Sequence, residues 1–70
     1  MQANIERFSD LRHVLETMMQ RIETGEDIME QLEQIDALSQ ELTPIAPKML
    51  LHYLERKSYT KALAFLETLE

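Results

Sequence analysis

Apolar residues recur along this chain at three- and four-residue intervals, with polar residues filling the gaps. Between Asn4 and Glu23, the residues Ile5, Phe8, Leu11, Val14, Leu15, Met18, Met19 and Ile22 fall within one half of a helical wheel. Glu6, Ser9, Asp10, His13, Thr17 and Gln20 take the other half. The spacing predicts a helix over 4–23, with Asn4 at its N-cap. A stripe this wide predicts more than one packing neighbour.

Glu23-Thr24-Gly25-Glu26-Asp27 interrupts the pattern. Gly25 suits the left-handed residue that closes a helix, and Thr24 with Asp27 suits the cap of the next. A link this short folds a second helix, predicted over 26–42, antiparallel to the first. Its apolar line is Ile28, Leu32, Ile35, Leu38 and Leu42, with Met29 at the edge and Ser39 expected as a small residue at a crowded helix crossing. Glu30, Glu33, Gln34, Gln40 and Glu41 face away.

Pro44 and Pro47 mark the next boundary, at Thr43 or Ala46, because the residue before proline avoids helical geometry. A third helix is expected from about Pro44 to Lys57, lined by Ile45, Met49, Leu50, Tyr53 and Leu54. Leu51 falls outside that arc, beside Lys48 and Glu55. Ser58 suits the cap of a fourth helix over 59–69, whose apolar arc holds Tyr59, Ala62, Leu63, Phe65, Leu66 and Leu69. The expected fold is therefore all-α, a single domain over 1–70. It is a small bundle of about four helices, made of a long antiparallel hairpin 4–42 and a C-terminal helical hairpin 44–69.

Composition sharpens this picture. The 70 residues include no cysteine, so disulfides and thiolate metal sites are ruled out. No apolar run approaches the ~20 residues of a membrane span, and MQANIERF lacks a basic-then-apolar leader pattern. The expected protein is soluble and cytoplasmic, away from membranes. Its net charge of −6 is uneven. Residues 1–42 set three arginines against ten acids, whereas 43–70 set four bases against three acids. Such an acidic half disfavours direct nucleic-acid binding.

Chemistry-bearing patterns are absent. His13 and His52 have no second ligand at helical spacing, so neither a metal nor a cofactor is expected. There is no glycine-rich phosphate loop and no nucleophile elbow, and no glutamate lies within an apolar run that would raise its pKa. Ser39 follows Asp36-Ala37-Leu38, so the Asp-Ser-Leu motif of acyl carrier proteins is missing. No catalytic activity is expected.

Two surfaces remain. Lys48, Arg56, Lys57 and Lys61 cluster with His52 around the apolar and aromatic Leu51, Tyr53, Tyr59 and Phe65, a candidate interaction surface. Glu30, Glu33 and Glu41 form a candidate acidic face. Twenty-five large apolar residues are more than four short helices enclose, which predicts a homodimer. The expected role is a small interaction module (regulator, adaptor or chaperone-like subunit) with a basic protein as possible partner. The alternative is an acidic inhibitor or antitoxin-like protein that occupies the nucleic-acid-binding site of a basic partner.

Overall fold

A computed structural model describes residues 2–69, with side chains from residue 6 onward. Ile5 as a core side chain therefore lies outside the described residues. Four helices appear: α1 (Gln2–Thr24), α2 (Met29–Leu42), α3 (Lys48–Glu55) and α4 (Tyr59–Leu69). The protein is an all-α bundle. α1 begins two residues before Asn4, so Asn4 lies inside the helix and does not cap it.

The first turn closes as a Schellman motif. Gly25 takes φ +79°, its N–H donates to the Ile22 carbonyl (3.3 Å), and the Glu26 N–H donates to the Arg21 carbonyl (2.8 Å). This draws Thr24 and Glu26 into the end of α1. The Thr24 hydroxyl shares its one proton between the Arg21 carbonyl and the Glu26 carboxylate, so it does not cap α2 as expected. Instead Asp27 Oδ1 accepts the Met29 N–H at 3.2 Å, and α2 starts three residues later than the spacing predicts.

α2 runs antiparallel to α1. Arg7 pairs with Glu41, and residues 10–14 lie beside 34–38. At the far end, the Leu42 carbonyl accepts N–H groups from both Ile45 and Ala46. Thr43 keeps helical angles (φ −49°, ψ −45°) despite preceding Pro44. The break comes at Ala46-Pro47, where Pro47 is extended (φ −57°, ψ 145°) and its carbonyl receives the Leu51 N–H. α3 is thus shorter than expected, starting at Lys48 rather than Pro44.

A second Schellman motif joins α3 to α4. Lys57 sits at φ +59°, its N–H donates to the Leu54 carbonyl, and the Ser58 N–H donates to the Tyr53 carbonyl. Ser58 takes the N-cap position, its carbonyl accepting the Ala62 N–H.

α1 is the central element, packing against both α2 and α4, and α3 packs on α4. The wide stripe on α1 is used accordingly: Leu11, Leu15 and Met18 are buried with Ile35 and Leu42 of α2, Leu50 and Leu54 of α3, and Ala62 and Leu66 of α4. Each large aliphatic side chain fully buried here stabilises the fold by about 1.5–3 kcal/mol before entropy is charged against it. Gln31 joins this core, only 5% exposed. Ile22, Met29, Ile45, Met49 and Leu69 remain uncovered.

Candidate functional site

The Pro44–Pro47 connection carries α3 away from the end of α2, and the Lys57 turn brings α4 back. α2 consequently packs on α1 but not closely on the C-terminal hairpin. A groove of about 450 Å³ separates them. Leu51, Leu54 and Tyr59 supply its apolar surface, Asp36, Ser39, Gln40 and Thr43 its α2 wall, and Glu55 and Lys57 its opposite rim. Ser39, expected at a crowded crossing, faces this open groove instead, its carbonyl accepting the Thr43 hydroxyl at 2.8 Å.

Leu51 is half-buried, yet it is not among the partly buried side chains packed on the core. Tyr59 does pack on the core and is also half-buried. Burial pushes the Tyr59 phenol above its usual 10.0, and the nearby Asp36 carboxylate adds to the shift. The phenol therefore stays protonated at neutral pH, and the groove offers a hydroxyl donor beside a carboxylate.

Tyr53 and Phe65 lie elsewhere. They meet edge-on across α3 and α4, ring centroids 6.4 Å apart at 68°. With Lys61, Ala64 and Thr68 they line a second, shallower groove of about 390 Å³. The expected single interaction surface is therefore two surfaces. Leu51, Tyr59 and Lys57 share one groove, while Tyr53, Phe65 and Lys61 share the other. Lys48 on α3 and Arg56 at its C-cap belong to neither lining and stand exposed with His52.

The acidic face also divides. Glu41 is engaged by Arg7. Glu30 and Glu33 are exposed and make no ion pair among the described residues. Asp36, at the groove, was not singled out by the spacing, because its importance comes from Tyr59 on another helix. A third open groove between α1 and α2, lined by Asp10, His13, Val14, Gln34, Ala37 and Leu38, was likewise invisible to single-helix wheels.

Among the described residues no group of three histidine, aspartate or glutamate side chains is placed to hold a metal. No described helix is long and apolar enough to cross a membrane. Comparison with family models, curated proteins and solved structures finds no match for this chain.

Proposed function

We propose that this chain is a small protein-interaction module without catalytic activity of its own, homodimeric, that receives an apolar helix of a basic partner. The observation that supports it best is the groove between α2 and the C-terminal hairpin. Leu51 sits there half-buried but unused by the core, next to Leu54 and Tyr59. A helix laid in such a groove buries the apolar anchors that recur at every third or fourth residue along one of its faces. Asp36 on the α2 wall and Glu55 on the opposite rim favour a partner of opposite charge.

Leu51→Asp tests the reading. It removes an apolar contact from the groove without opening the core, so it costs about 1 kcal/mol of stability or less while abolishing partner capture. Pull-downs from native lysate with both proteins read this directly. An identical captured set for wild type and variant would sink the groove as the docking site. Capture through apolar contact survives moderate salt, whereas an inhibitor holding a basic site through Glu30 and Glu33 is released by it.

A further inference from the structure

We propose that two copies of this chain join through a reciprocal contact between α2 of one and α3 of the other. Met29 and Glu33 of the first, with Glu30, meet Lys48, His52 and Arg56 of the second, with Met49. This rests on the homodimer of the reading above and adds which surfaces meet, leaving both grooves of the pair free for partners.

Three of the five uncovered large apolar residues among the described residues belong to this region: Met29 (59% exposed), Met49 (52%) and Ile45 (41%) at the entry to α3. Met29 and Glu33 are four residues apart on α2, on the side turned from Gln31, Ile35 and Leu42. Lys48 and His52 of α3, and Arg56 at its C-cap, follow at the same interval, away from Leu50 and Leu54. At 1.5 Å per residue Met29 to Glu33 spans about 6 Å and fits within the ~12 Å from Lys48 to Arg56. The stripes oppose in charge. None of Glu30, Glu33, Lys48 and Arg56 has an ion pair among the described residues.

Each stripe carries methionine, whose unbranched side chain adapts to an irregular surface. A two-fold axis makes the contact twice, doubling the area from one pairing. A stable interface hides about 800 Å² per partner, roughly a sixth of this chain's 4961 Å².

The test is a charge exchange read by sedimentation equilibrium. One variant carries Glu30→Lys and Glu33→Lys, and the other carries Lys48→Glu and Arg56→Glu. All four side chains are exposed, so helix content by circular dichroism stays that of wild type. Each variant alone should dimerise about tenfold more weakly or worse. The first weakens although its net charge falls from −6 toward zero, so general repulsion does not account for the loss. Mixed in equal amounts they should regain the wild-type constant, because each two-fold contact then pairs lysine with glutamate. Variants that dimerise like wild type, or a mixture no better than its components, would overturn the contact. Loss of partner capture in Leu51→Asp alongside such a result would leave the groove reading standing. A wild-type chain monomeric at about 200 µM, a concentration that populates even a weak dimer, overturns this contact and the homodimer together.

Discussion

Gln31 puts a polar atom inside this small core, and Tyr59 sets a phenol at its edge, in the groove. The Gln31 Oε1 is buried without a partner among the described residues. A buried acceptor left unpaired costs about 1–3 kcal/mol. Gln31→Met, close in volume, should therefore raise stability by about 1 kcal/mol, read as a higher urea midpoint at unchanged slope. A lower midpoint would show that Gln31 is well partnered in solution. Tyr59 links stability to alkaline pH. Its folded pKa lies above its ordinary value, so the folded chain holds that proton longer than the unfolded one. The stabilisation is present below pH 10.0 and is lost as pH rises through the folded pKa. Phenolate absorbance should show one tyrosine ionising late, and Tyr59→Phe should remove that part of the alkaline destabilisation. Asp36→Asn should bring the late ionisation earlier.

At the level of elements, the two hairpin turns use one geometry with different residues. Gly25 and Lys57 both sit at positive φ at the end of a helix. A Cβ at Gly25 would meet nothing within 4 Å, so Gly25→Ala carries only the backbone cost, about 1 kcal/mol. Lys57 already bears that cost, and Lys57→Gly should stabilise by about 0.5 kcal/mol after the extra freedom of unfolded glycine is subtracted. Equilibrium melts of the pair should move in opposite directions; movement in the same direction would rule out left-handed strain as their common cause. The first turn is legible in the sequence because glycine marks it. The second was legible only as a break at Arg56-Lys57-Ser58, because lysine carries no conformational signal. The late start of α2 was hidden for a related reason. Thr24 and Asp27 suit a cap, but the Glu26 N–H is claimed by α1 and moves the boundary along.

For the whole molecule, the Cα radius of gyration is 11.4 Å, close to the ~11 Å expected of a compact 70-residue chain. The chain closes a core on its own and, among the described residues, still leaves five large apolar side chains uncovered. Small-angle scattering on a dilution series should show a radius of gyration that grows about 1.3-fold as the proposed dimer fills, the increase expected on doubling chain content. A radius constant across the series would count against two-copy assembly.

Periodicity alone was enough to establish the all-α class and the number of helices, but it grouped Ile45 and Met49 with Leu50 and Leu54, and of these only Leu50 and Leu54 are buried. Class and helix number follow from repeats of three and four residues that each helix carries by itself, and the width of the α1 stripe already implied more than one neighbour. Even Gln31 was within reach, since it stands three residues after Ile28 and four before Ile35. Tertiary structure alone decided which exposed faces lie together. Leu51 joins Tyr59 and Asp36, Tyr53 joins Phe65, and Glu41 is taken by Arg7. A helical wheel describes one helix about its own axis. The groove depends on how far the Pro44–Pro47 connection turns α3 from α2, and that angle is set by packing against α1 and α4, not by any residue's own periodicity.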